Sequence, residues 1–102
     1  MILARLRVND QRAILLDEKK IAECENIVVQ GVDKDIVGCG LTKDDAIYDF
    51  ARSLAVEYII DQENPNHFTN IPNPPAKYLS LFNDNYQLPI EIHTINFKKV
   101  TK

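Results

Sequence analysis

The 102-residue sequence predicts an α+β domain in which a small antiparallel sheet of three to five strands is packed by one main helix. Three observations carry that expectation. Residues 2 to 8 alternate with apolar side chains at every even position and Arg5 and Arg7 on the other face, Ile27-Val28-Val29 is a β-branched run, and a long amphipathic segment opens at Thr42. Hydrophobic residues make up 45% of the chain and charged residues 26%, with only three Gly and five Pro, which is a composition for one packed core. A single domain over residues 1–102 is expected.

The first strand places Ile2, Ala4, Leu6 and Val8 on one face and Arg5 and Arg7 on the other. Asn9-Asp10 supplies turn chemistry, so Arg12 to Leu16 reads as the returning strand of a hairpin. Asp17-Glu18-Lys19-Lys20 can form a turn, and Ile21-Ala22-Glu23-Cys24 reads as a strand or as one helical turn. After Ile27-Val28-Val29, the polar break Asp33-Lys34-Asp35 precedes the apolar pair Ile36-Val37, which predicts a second hairpin.

The main helix is expected from about residue 43 to 61. Thr42 offers an N-cap hydroxyl, and Asp44 and Asp45 put carboxylates in the first turn, where the helix dipole favours negative charge. Ala46, Ile47, Phe50, Ala51, Leu54, Ala55 and Tyr58 then fall within about half of the circumference at 100° per residue and should cover a sheet face. The opposite side begins polar, with Asp45, Asp49 and Arg52, but Val56, Ile59 and Ile60 make the last two turns apolar nearly all round. That end requires a cover, either the C-terminal part of the chain or a second subunit.

Residues 62 to 75 hold four of the five prolines and four asparagines, which predicts a surface loop. Asn73 before Pro74 and Pro75 reads as an N-cap with Pro at the first helical position, opening a short helix over about residues 74–82. A C-terminal strand is expected over residues 88 to 97. Its apolar phase is even through Ile92 and odd from Ile95, which suggests a bulge near His93-Thr94 or a strand covered on both faces.

Charge narrows the function classes. A net charge of −3 opposes general phosphate binding, so nucleic acid is not the expected partner, although Lys98, Lys99 and Lys102 make the extreme C-terminus locally basic. Asp44, Asp45, Asp49, Glu57 and Asp61 outweigh Lys43 and Arg52 along the main helix, and an acidic face suits a basic protein partner. Arg5 and Arg7 interrupt the apolar start and no window approaches a membrane span, so a cytoplasmic protein without a membrane anchor is expected. Cys24 and Cys39 lack a C-x-x-C partner and read as small core residues.

No constellation for catalysis, metal or cofactor binding is complete. Gly38-Cys39-Gly40 lacks the third glycine of a dinucleotide fingerprint and the Gly-Lys-Ser/Thr of a P-loop, so it reads as a strand end easing into a capped helix. Asp33, Asp35, Asp44, Asp45 and Asp49 occupy a predicted turn and a helix start, both ordinary places for aspartate, and nothing in their spacing gathers them for two-metal chemistry. His67 and His93 read as a solvated loop histidine and a strand histidine.

Gly40-Leu41-Thr42-Lys43-Asp44-Asp45-Ala46-Ile47, placed after a short β-meander and leading an amphipathic helix, resembles the Gly-x-Thr-x-acidic-acidic-Ala signature of HicB-like antitoxin domains. The similarity covers about residues 27–60. It implies a partial ribonuclease-H-like fold, a dimer or higher oligomer, and neutralisation of a small basic messenger-RNA-cleaving toxin. Val32-Asp33-Lys34-Asp35 replaces the Pro-Asp-Leu-Pro-Gly-type segment common in that family, and residues 62–102 lack the pattern of an operator-binding module, which favours an inhibitor or adaptor over a repressor.

The expected function is therefore that of a noncatalytic protein-interaction module. Its partner-binding residues are Asp45, Asp49, Arg52, Val56, Ile59 and Ile60, and its partners a small basic toxin or host factor and a second copy of the chain. The alternatives are a small metal-dependent nuclease or hydrolase using the aspartates, and a nucleic-acid-binding regulator using the basic C-terminal strand. No cofactor is expected.

Overall fold

The computed structural model describes residues 2–17 and 27–96. The expected element over residues 21–24, Cys24 and the C-terminal lysines lie outside the described residues. The elements are β1 (Ile2–Val8), β2 (Gln11–Asp17), β3 (Ile27–Gly31), β4 (Val37–Gly40), α1 (Lys43–Glu63), α2 (Ala76–Asp84) and β5 (Ile90–His93). They form an α+β fold around one five-stranded sheet of order β4-β3-β2-β1-β5. β1 to β4 are an antiparallel meander, as expected, whereas β5 joins parallel to β1, so the sheet is mixed.

The β1–β2 hairpin closes on Asn9-Asp10, with Asn9 in the left-handed region at φ 56°. Asparagine tolerates that conformation better than most residues because its short polar side chain bonds locally. Ala4, Leu6 and Val8 face the core together with Ala13 and Leu15. Ile2 departs from the expected face: the register shifts between Ile2 and Ala4, and Ile2 packs instead with Ile14 and Leu16 on the other side of the sheet. One irregular residue is enough to exchange faces, because side chains alternate with a period of two.

α1 starts as its sequence dictates. The Thr42 hydroxyl accepts the Asp45 amide at 3.1 Å, and Ala46, Ile47, Phe50, Ala51 and Leu54 are buried against the sheet. The approach is unusually close at β4. A Cβ placed on Gly38 would lie 2.2 Å from the Phe50 nitrogen and 2.5 Å from its Cα, and one on Gly40 would lie 2.8 Å from the Ala46 nitrogen. The two glycines therefore do more than ease a strand into a helix: they remove the side chains that would hold α1 off the sheet.

The far face of the sheet is covered too, which the sequence reading did not anticipate. α2 lays Phe82, Tyr78 and Leu81 against Ile14, Leu16 and Val32. Phe82 lies between two guanidinium groups, Arg5 at 5.0 Å and Arg12 at 5.5 Å from the ring centroid. Arg5 also donates to the carbonyls of Leu88 and Tyr86, both at 2.8 Å, while Arg12 pairs with Asp33 at 2.7 Å. α2 begins two residues later than expected and without a side-chain cap. The physical reason is the double proline: Asn73 and Pro74 each precede a proline, which disfavours helical backbone at both, so the first helical residue is Ala76.

β5 runs parallel to β1 because α1 carries the chain back to the β1–β2 turn, where the Tyr58 hydroxyl donates to Asp10 at 2.7 Å, and the α2 segment then crosses the opposite face. β5 is shorter than expected. β1 ends at Val8, and beyond it the Asn9 side chain takes over the pairing: its Oδ1 accepts the Ile95 amide at 2.8 Å and its Nδ2 donates to the Ile95 carbonyl at 3.2 Å. The change of apolar phase is therefore the end of a strand. Ile90 and Ile92 face outward, and Ile95 turns into the core cluster under α1.

Candidate interaction surface

The outer side of α1 follows from where its core side points. Asp45, Asp49, Arg52, Val56 and Ile59 succeed one another at intervals of four, three, four and three residues, so they stack as one stripe along the helix. That stripe lies opposite Phe50 and Leu54, which are fully buried. The six expected partner-binding residues are thus brought to one side of one element, with Ile60 half-buried at its margin. Asp45 and Arg52 are exposed, Val56 retains 44% of its accessible surface, and Ile59 retains 38%.

Asp49 differs from the rest. Its Oδ2 accepts the backbone amide of Cys39 at 3.0 Å and its Oδ1 accepts from Arg52 at 2.6 Å. Cys39 belongs to β4, the edge strand, so this carboxylate occupies a donor that an incoming strand would otherwise use. The Cys39 amide and then the Arg52 guanidinium hold the Asp49 carboxyl below the usual carboxylate range. Cys39 itself is a free, half-buried thiol at the sheet edge, not the core residue expected.

A depressed carboxyl pKa has a definite consequence for stability. Asp49 binds its proton less tightly folded than unfolded, so its contribution is complete above the unfolded carboxylate pKa near 4 and is lost as pH falls through the lower folded value. The Asp49→Asn chain should therefore lose less stability than the parent between about pH 5 and pH 2, as read by urea-denaturation midpoints across that range.

The apolar end of α1 is covered on one side only. Residues 64–71 fold against it, with Phe68 stacked on Tyr58 at 4.8 Å between ring centroids and the Phe68 amide donating to Asp61 at 2.7 Å. His67, expected as a solvated loop residue, instead meets Glu57 at 2.6 Å and fastens this segment to the helix. The chain thus supplies its own cover for Tyr58, but among the described residues Val56 and Ile59 remain exposed. Tyr48, on the turn before Arg52, is 71% exposed and extends the same surface. Its four-residue spacing from Arg52 was the available signal in the sequence.

The aspartates of the alternative reading are not gathered. Asp33 is held by Arg12, Asp35 accepts from Gln30 at 3.0 Å, Asp49 is engaged by the sheet edge, and Asp44 and Asp45 stand at the helix start. Among the described residues no three His, Cys, Asp or Glu side chains form a group that could hold a metal ion. An open cleft of about 460 Å³ between the β1–β2 turn and the end of α1 is lined by Asn9, Asp10, Tyr58, Asp61 and Gln62. Its two carboxylates already accept from Tyr58 and from the Phe68 amide. Among the described residues no helix is long and apolar enough to cross a membrane. Comparisons with protein-family models, with curated proteins and with solved structures find no match.

Proposed function

We propose that this chain is a noncatalytic protein-interaction module of the HicB-antitoxin-like kind, acting in the cytoplasm by binding and inhibiting a basic protein partner through the outer side of α1. The observation that carries the reading is the single stripe from Asp45 to Ile59, acidic at its start and apolar at its end, opposite the core side of the helix. Such a surface supplies both parts of a recognition interface: carboxylates that steer a basic partner, and aliphatic side chains that gain by desolvation once it docks. A β-meander leading into a Thr42-capped helix also agrees with the arrangement that the resemblance implies.

The partner to test is the product of the neighbouring gene, if small and basic, purified with this chain. A stoichiometric complex is expected whose association slows with added salt. The Asp45→Lys and Ile59→Asp substitutions should each weaken it at least about tenfold, roughly 1.4 kcal/mol, with unchanged circular dichroism. Titration calorimetry reads the result. Absence of a complex, or an affinity indifferent to both substitutions, refutes the reading.

A further inference from the structure

We infer that the outer edge of β5 is a self-association surface, on which a second copy of this chain pairs its own β5 antiparallel across a two-fold axis and extends the sheet from five strands to ten. The inference is independent of any partner bound along the outer side of α1. It begins from which backbone groups are already used. β5 pairs with β1 in the register Leu6↔Glu91 and Val8↔His93, and the Asn9 amide donates to the His93 carbonyl at 2.9 Å. In a parallel ladder that pattern directs the amide and carbonyl of Glu91 and His93 toward β1. The amide and carbonyl of Ile90 and Ile92 then point away from the sheet, and among the described residues nothing pairs with them.

The two edges of this sheet are treated differently. At β4 the Asp49 carboxylate occupies the Cys39 amide, and α1 packs closely against the strand. Nothing comparable protects β5 among the described residues. It carries no proline or lysine between Ile90 and His93, and its outward side chains are β-branched and apolar, with Ile92 71% exposed. An unprotected strand edge beside an exposed aliphatic side chain is a template for pairing.

Self-complementarity selects a second copy as the occupant. With the two-fold axis at Ile92, the two Ile92 residues face each other and exchange both backbone hydrogen bonds, and their side chains meet on the α2 side of the sheet. The same register sets Glu91 opposite His93 of the other copy, twice, on the α1 side, where cross-strand side chains come closest. Each strand thus offers a carboxylate where the other offers an imidazole, and isoleucine where the other offers isoleucine. A two-fold interface requires that a surface match itself in this way. Within each copy Glu91 already meets Lys43 at 2.9 Å and its own His93 at 3.6 Å, so the row across the axis sets two carboxylates among two lysines and two imidazoles.

Sedimentation equilibrium of the full chain tests the proposal. A dimer with a concentration-dependent mass is expected, with the Ile92 amide protected from hydrogen exchange. Ile92→Pro removes an amide that only the second copy uses, so it should weaken the dimer roughly 10- to 100-fold, because two symmetric hydrogen bonds are lost. Ile92→Lys changes only the exposed side chain and should have an effect of the same sign. Both variants should keep the parent circular dichroism spectrum. A monomer at every concentration overturns the proposal, whether the Ile92 amide exchanges freely or is protected by another part of the same chain. A dimer that persists in both variants overturns it as well.

Discussion

Gly38→Ala should be the most damaging single-methyl change in this protein, lowering stability by about 3 kcal/mol or more, at or above the upper end of ordinary overpacking. The added carbon would meet the backbone nitrogen and Cα of Phe50 at 2.2 and 2.5 Å, with the Phe50 Cβ at 2.8 Å. A flexible side chain could swing aside, but a helix backbone cannot. α1 must translate as a unit, and the movement would open its contacts with Val29, Leu15 and Leu6, all of which are buried beneath it. For a chain of this size the loss corresponds to a fall in melting temperature of roughly 12–24 °C, read by calorimetry or thermal circular dichroism. A melting temperature within a few degrees of the parent would show that β4 and α1 are not held at this separation.

Phe50→Ala should cost about 3–5 kcal/mol for the opposite reason. Among the described residues Phe50 is the largest fully buried side chain, and it lies where β4, β3 and the centre of α1 converge. Truncation removes its transfer free energy and leaves a void that neighbours on a hydrogen-bonded sheet cannot collapse to fill. The pair Gly38→Ala and Phe50→Ala also tests the geometry. All three short contacts at Gly38 are to the Phe50 nitrogen, Cα and Cβ, which alanine retains, so the smaller side chain should not rescue the clash. A double mutant no less stable than Phe50→Ala alone would place the conflict in the ring instead.

Local chemistry accounts for what the sequence made legible. Thr42, Asp44 and Asp45 define a helix start through interactions within one turn, and the structure places the cap hydroxyl on the Asp45 amide as expected. Likewise the β1–β2 hairpin, the β3–β4 hairpin and the buried side of α1 come from short-range alternation and helical periodicity. The start of α2 was also written locally, in the effect of each proline on the residue before it, although Asn73 suggested a cap. Only part of the α1 surface was legible. Periodicity put Asp45, Asp49, Arg52, Val56 and Ile59 on the outer side, but not the engagement of Asp49 by a strand edge or the Glu57–His67 contact.

By itself, then, the sequence determined an α+β fold, a meander of strands and a Thr42-capped amphipathic helix, because hydrophobic period and capping act over a few residues. Tertiary structure alone decided that β5 lies parallel to β1, that Phe82 docks between Arg5 and Arg12, that Ile2 changes faces, and which of the two sheet edges is closed. Those features depend on groups ten or more residues apart, or on a single register shift. Their separation in sequence carries no periodic signal, so they are fixed only when the packed chain satisfies backbone and side chains together.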